Sequence, residues 1–287
     1  MTFLNAVRRF APACLAVLAS GAALAAGPAL KGAAATTAAA EKQPATLISH
    51  RAVYDLSLSK VSQSDGVRAA SGTMTYTLTD RCDGYTIETN LSMDLAFANG
   101  ADNQVEQRYA AWEAKDGRSS TFRFQVIENG NLAKSYHGDI QFKDDGTGTA
   151  TYESDETTKF ELPRGTLLST AHTLELLKSA GAQERFVSKL VIDGSFDEGP
   201  FWVTAAIAPA HQSPVSPAKA GALDEGRYWP IGMAYFPMAS SGELPEYEIT
   251  QNLFNTGITH SMAQDFGGFT LAFKPVRVEP VSVAACP

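Results

Sequence analysis

The sequence predicts an all-β protein: one large, curved antiparallel sheet, open and spiral-like or barrel-like, carrying a single short amphipathic helix. Three observations point there. Apolar and polar residues alternate with a period of two through most of the chain. Turn-forming residues interrupt the alternation at hairpin intervals. Only one stretch changes to a helical period.

The strands can be taken in order. "RAVYDLSL" sets Ala52, Tyr54, Leu56 and Leu58 against Arg51, Asp55 and Ser57. In "SGTMTYTLT", Met74, Tyr76 and Leu78 oppose Thr73, Thr75, Thr77 and Thr79. "YTIETNLSMDLAF" puts Tyr85, Ile87, Leu91, Met93, Leu95 and Phe97 on one face, with Thr86, Glu88, Asn90, Ser92 and Asp94 on the other. Each run is a strand with one dry and one wet side. "TFRFQV" and "FTLAF" repeat the pattern. Between the runs, Asp83-Gly84, Glu128-Asn129-Gly130-Asn131, Asp144-Asp145-Gly146 and Asn255-Thr256-Gly257 supply the positive-φ residues of tight hairpins. Neighbours joined by short turns are antiparallel. Roughly eleven to fourteen such strands are more than a flat sheet carries without curling.

The exception is "LLSTAHTLELLKSAGA". Leu174 and Leu177 stand at helical spacing, with Ser169 or Thr170 as N-cap and Gly181 as the stop. One helix in an all-β chain is expected to plug or cap the open end of the curved sheet. "ELPRGT" leads into it, and "DGSFDEGP" reads as a solvated polar loop between strands. Residues 209–226 hold three prolines without a period and read as a long surface loop.

The N-terminus reads as a secretory signal peptide over residues 1–25. Arg8 and Arg9 precede an apolar run from Cys14 to Ala26, and Ala23-Leu24-Ala25 forms an A-x-A cleavage pattern. The run is shorter than a bilayer requires. Residues 26–46, Ala/Thr-rich and without a core pattern, read as a disordered leader. A single β domain over 47–287 follows. Cleavage near Ala25 removes two arginines and no acid, taking the formal charge from −8 to −10. An acidic exported domain repels phosphate backbones, which argues against a nucleic-acid partner.

Cys14 leaves with the signal peptide, so Cys82 and Cys286 remain. An even pair in an oxidising compartment reads as a disulfide, the alternatives being two free thiols or a bond between chains.

Catalytic and cofactor motifs are absent: no G-x-S-x-G, H-E-x-x-H, P-loop or dinucleotide fingerprint occurs. His50, His137, His172, His211 and His260 are scattered, and none pairs at a metal-ligand spacing. "KDDGTGT" fails the EF-hand register and reads as a hairpin turn. No cofactor and no metal are expected. The candidates for a cavity or a partner surface are Tyr228, Trp229, Tyr235 and Phe236 of "RYWPIGMAYFP", and His172 in the helix's first turn.

Seven stretches, in order, carry a resemblance. They are "HRAVYDLSL", "SGTMTYTLTDRCDGY", "LPRGTLLSTAHTLELLKSA", "DGSFDEG", "YWPIGMAYF", "LPEYEITQNLFNTGIT" and "DFGGFTL". Together they resemble the EipB-type cell-envelope integrity proteins of alphaproteobacteria, over about residues 47–287. The resemblance implies a periplasmic protein with an open, spiral-like sheet and a Cys82–Cys286 disulfide. It also implies a role in envelope maintenance under stress, a functional link to a periplasmic tetratricopeptide-repeat protein, and no established catalytic activity. The terminal "ACP" and the 209–226 loop are points of departure from the family pattern. The expectation is therefore a non-enzymatic periplasmic protein that supports envelope integrity through protein partners. Its alternative is a carrier or sensor of an apolar ligand, a lipid or cell-wall fragment. A hydrolase would instead need His172 or His137 to meet a carboxylate in one cleft.

Overall fold

The computed structural model describes residues 46–61, 66–213, 226–239, 244–283 and 286. The signal peptide, nearly all of the leader, and the 214–225 core of the proline-rich loop lie outside the described residues.

Eight strands form a meander in sequence order: β1 (His50–Val61), β2 (Val67–Asp80), β3 (Gly84–Phe97), β4 (Asp102–Ala114), β5 (Ser119–Glu128), β6 (Asn131–Phe142), β7 (Gly148–Glu153) and β8 (Thr157–Leu162). The two-residue β9 (Leu167–Leu168) and helix α1 (Ser169–Gly181) follow. A second arm then runs through β10 (Phe186–Ile192), β11 (Phe201–Ile207), β12 (His211–Gln212), β13 (Arg227–Pro237), β14 (Tyr247–Phe254), β15 (Thr259–Asp265) and β16 (Phe269–Pro280). The described strands number sixteen, above the sequence expectation, because β9 and β12 are too short to leave a periodic signal. At the described ends of the proline-rich loop, β12 pairs β13, and His211 stacks on Tyr228.

The arms meet in the middle of the sheet. The ladder runs β8-β7-β6-β5-β4-β3-β2-β1-β16-β15-β14-β13-β11-β10-β9, so the first and last strands are neighbours and His50 stands opposite Pro280. The two free edges, β8 and β9, are joined by only the four residues 163–166. At about 3.5 Å per residue these span less than roughly 18 Å. The sheet must therefore curl until its edges nearly touch, giving a barrel-like body whose hydrogen-bond ladder is not closed.

The period-two register survives in the structure. Ala52, Tyr54 and Leu56 on β1, and Ile87, Met93 and Leu95 on β3, face the lumen and are buried. Asn129 and Gly130, both at positive φ, form the two-residue β5–β6 hairpin. Gly84 departs from expectation: it is not at positive φ but opens β3 where a Cβ would lie 2.5 Å from the Glu113 carbonyl oxygen. Close approach, not turn conformation, requires glycine there. The "KDDG" turn is a hairpin in which Asp145 Oδ1 accepts bonds from the Thr147 backbone N–H and hydroxyl.

Cys82, in the β2–β3 turn, is bonded to Cys286, with Cα atoms 5.4 Å apart. The chain after β16 crosses the start of β1 to reach it. Val281 N–H donates to the Ser49 carbonyl at 3.2 Å, and Ser49 Oγ accepts the Asp80 N–H at 2.8 Å.

Candidate functional site

The lumen is filled from three sources. The first is helix α1. Leu176, Leu177 and Ala180 pack with Val203, Ile231, Met233 and Leu253, so the helix sits against the inner face of the β10–β14 arm. Its N-terminus is not capped by Ser169 or Thr170, as the sequence suggested. Leu168 occupies the cap position and makes no side-chain cap bond. Glu113 of β4 meets the first turn instead: Oε2 accepts the Thr170 N–H at 2.9 Å, and Oε1 accepts the Ser169 hydroxyl at 2.8 Å. A carboxylate there also faces the positive end of the helix dipole. Burial pushes the Glu113 carboxyl above its ordinary range, and the three bonds from Thr170 and Ser169 pull it partly back. At the other end Gly181 is the last helical residue, and the left-handed position falls on Gln183, φ 62.

The second source is the 193–200 loop, which corrects the solvated reading of "DGSFDEGP": none of its residues is exposed. Gly194 lies against the Phe122 ring of β5 and Gly199 against the Phe160 ring of β8, each at positive φ. Phe196 stacks on Tyr247 of β14, with centroids 5.4 Å apart. Lys134 of β6 pairs with Asp197 at 2.7 Å, and the Tyr109 hydroxyl donates to the Asp193 carbonyl. The loop thus bridges both arms from inside. The third source is an aromatic cluster beneath it, in which Phe124 stacks on Tyr136 at 5.1 Å and Phe122 meets Tyr152 at 4.8 Å.

A cavity of about 240 Å³ remains between α1, β1, β2 and the β13–β15 strands. Its walls include Leu78, Leu176, Met233, Ile249 and Leu253. Its polar groups include His172, Asp193, Tyr76 and Tyr235, together with Tyr54, Gln251, Thr259 and the α1 residues Ser169, Thr170 and Thr173. Burial pushes both tyrosine hydroxyls and the Asp193 carboxyl up, while the Ser195 N–H and hydroxyl bonds to Asp193 Oδ1, at 2.8 and 2.7 Å, oppose the carboxyl's shift. Only 5% of His172 is exposed, and its Nε2 has no hydrogen-bond partner among the described residues. Burial holds this imidazole down to about 4, with Glu175 opposing the shift and Lys189 assisting it.

Of the five sequence candidates, the strand alternation separates the aromatics. Trp229 and Tyr235 point inward, and only Tyr235 joins His172 at the cavity, Trp229 being core. Tyr228 and Phe236 belong to the outer face, Phe236 opposite Trp202. Asp193 and Glu113 were missed. Glu113 has a signal: it occupies an inward register position of β4, in line with Val105 and Ala111, where a charge needs a partner. Asp193 has none, since its burial follows from tertiary docking of the loop.

His172 has a consequence for acid stability. In the unfolded chain an imidazole takes up its proton near pH 6.5, whereas the folded protein resists until about pH 4. The stability contribution is present above pH 6.5 and lost as pH falls through that window, about 3 kcal/mol in all. Glu113 and Asp193, with raised values, act in the opposite sense, since their stabilisation is full at low pH and lost as pH rises. Urea unfolding at pH 7 and pH 4.5 is expected to show a smaller acid loss for His172→Phe than for the parent. Parallel losses would dismiss this assignment.

Outside, the β10–β16 arm carries a shallow trough of about 710 Å³. Its floor is one register row across the sheet, Phe186–Ala206–Gly232–Thr250–Ala263–Ala272. Phe186 is 76% exposed, and Arg185 and Lys274 also border the trough.

No helix among the described residues is long and apolar enough to cross a membrane, and no cluster of metal-ligating side chains occurs among them. His137 lies apart on the surface, 3.1 Å from Glu153.

A family model described as EipB-like matches residues 41–281. The cell envelope integrity protein EipB of Brucella abortus (strain 2308) is 27% identical over 246 residues, covering 84% of this chain and 87% of that one. A crystal structure from Brucella abortus, described as a β-barrel-like protein of a domain of unknown function, superimposes with a TM-score of 0.77. It is 26% identical, and the match covers 83% of this chain and all of that one.

Proposed function

Because this chain belongs to the EipB-like family, we propose that it supports cell-envelope integrity as a non-enzymatic periplasmic protein acting through protein partners. The carrying observation is the trough. Its small-residue floor lets a partner approach the backbone, and Phe186 and Trp202, 76% and 48% exposed, offer aromatic anchors on the same face. A periplasmic tetratricopeptide-repeat protein, with an extended helical surface, is the partner we place there. Export by a leader cleaved near Ala25 supplies the oxidising compartment that the Cys82–Cys286 bond requires. The reading without catalysis draws on the lumen's wiring. His172 and Asp193 line one cavity, yet the Ser195 hydroxyl donates to Asp193, and no nucleophile–base bond to His172 is formed among the described residues.

Deletion of the gene is expected to sensitise cells to detergent and cell-wall antibiotics. The parent gene restores tolerance, and Gly232→Arg does not. The variant is structurally mild, since a Cβ at Gly232 meets only Thr250 Cγ2, at 3.9 Å. Full rescue by folded, exported Gly232→Arg would remove the partner reading.

A second reading, carriage of a small apolar ligand in the lumen, is favoured by the cavity and the unpartnered His172 that borders it.

A further inference from the structure

The lumen is more selective than an apolar cavity needs to be. An unsatisfied polar atom in a protein interior typically costs about 1–3 kcal/mol. His172 Nε2 is such an atom, in a side chain that lines a 240 Å³ space whose other walls mix Leu, Ile and Met with tyrosines, threonines, Ser169 and Gln251. Among the described residues no Lys or Arg lines this space, and the one carboxyl on it is Asp193. Glu113 stands directly behind Ser169 and Thr170 of the same wall. Lys189, which His172 senses, is paired with Glu175 at 3.3 Å and is not a lining residue. An anionic head group entering here would be desolvated beside a carboxyl with no counter-charge. A hydroxyl meets no such penalty. It donates and accepts, so it satisfies either tautomer of a neutral imidazole.

We infer that the lumen is a binding site for one uncharged, hydroxyl-bearing apolar molecule, with its body against Leu78, Leu176, Met233 and Leu253 and its hydroxyl on His172 Nε2. At about 30 Å³ per water-sized group the space takes roughly eight such groups, a medium-chain alcohol. Met74 and Met262, unbranched and adaptable, line the walls where chain shape varies. Fatty acids and phospholipid head groups are excluded by the same wall. This inference rests on the carriage reading of the lumen.

The test compares 1-octanol, octanoate and octylammonium, matched in chain, by calorimetry and thermal shift on the folded chain at pH 7. Octanol is expected to bind at least tenfold more tightly than either charged analogue. His172→Phe should weaken octanol at least tenfold, and Met233→Trp, which fills the lumen and keeps the imidazole, should abolish binding. Preference for octanoate or octylammonium overturns the inference, as does octanol binding that is indifferent to His172→Phe. The head-group comparison needs only the parent protein, so it stands even if a variant fails to fold. Native mass spectrometry of protein from its own periplasm separates this inference from the reading beneath it. A bound fatty acid or phospholipid leaves carriage standing and sinks the hydroxyl assignment. A bare apo mass, with all three octyl compounds failing to bind, removes both.

Discussion

Replacing Cys82 and Cys286 together by serine is expected to leave the fold recognisable and to lower its melting temperature by roughly 10–20 °C. The bond spans 204 residues. In the chain-entropy model, closing a loop of that size removes about 5 kcal/mol of freedom from the unfolded chain. Native contacts change little in comparison, because the β1–β16 ladder holds without the bond. The effect should be confined to the end of the chain in the folded state. Past Pro280 the tail is poorly buried, with Val283 44% exposed, and the bond to Cys82 is what fixes it. Near-UV and far-UV spectra of parent and variant should therefore overlay at 20 °C while their thermal curves separate. A melting shift below about 2 °C would show that the crosslink contributes nothing of the expected size.

Gly194→Ala should be a strongly damaging small substitution in the lumen. The position combines φ +79 with a ring in the way, since a Cβ there would lie 2.3 Å from Phe122 Cγ. Left-handed backbone costs an alanine about 1–2 kcal/mol, and forced overlap with a packed aromatic about 1–3 more. Gly146→Ala separates the two contributions, because its φ is +82 but its nearest neighbour is the flexible Arg164 side chain at 3.7 Å. Urea unfolding should give about 1 kcal/mol for Gly146→Ala and about 3–4 kcal/mol for Gly194→Ala. Trimming the obstructing ring, as in Gly194→Ala with Phe122→Leu, should cost less than the sum of the two single changes. Equal losses at the two glycines would mean that the loop does not press on β5.

Both predictions turn on features of different visibility in the sequence. Inward-facing residues of β1, β2 and β3 were readable because a half-buried strand imposes its period locally, and Tyr54, Ile87 and Leu95 obey it. The hairpin at Asn129-Gly130 was readable for the same reason, since the turn type demands those residues. Which strand meets β1 on its second edge was not readable: nothing within either run encodes a partner at the far end of the chain. The site was legible only in fragments. His172 drew notice as an ionisable residue on a helix, yet its significance comes from the cavity and from Asp193, brought there by a loop whose composition is that of a surface turn. Local polarity misleads when tyrosines and glycines elsewhere, here Tyr109 and Gly194, accommodate the polar loop inside.

The mid-sheet meeting of the first and last strands sets a timetable for assembly. Strands β1 to β7 each pair with their immediate successor, so the β1–β8 meander forms without anything later in the chain. One side of β1, however, keeps its peptide groups uncovered until β16 has been delivered. During folding that uncovered flank is the segment most open to mispairing with other chains, since an unpaired strand edge is a template for any extended peptide. Long-range pairing of this kind is also the slow step in β-sheet assembly. A crosslink placed one strand away from that junction shortens the search each time it reopens.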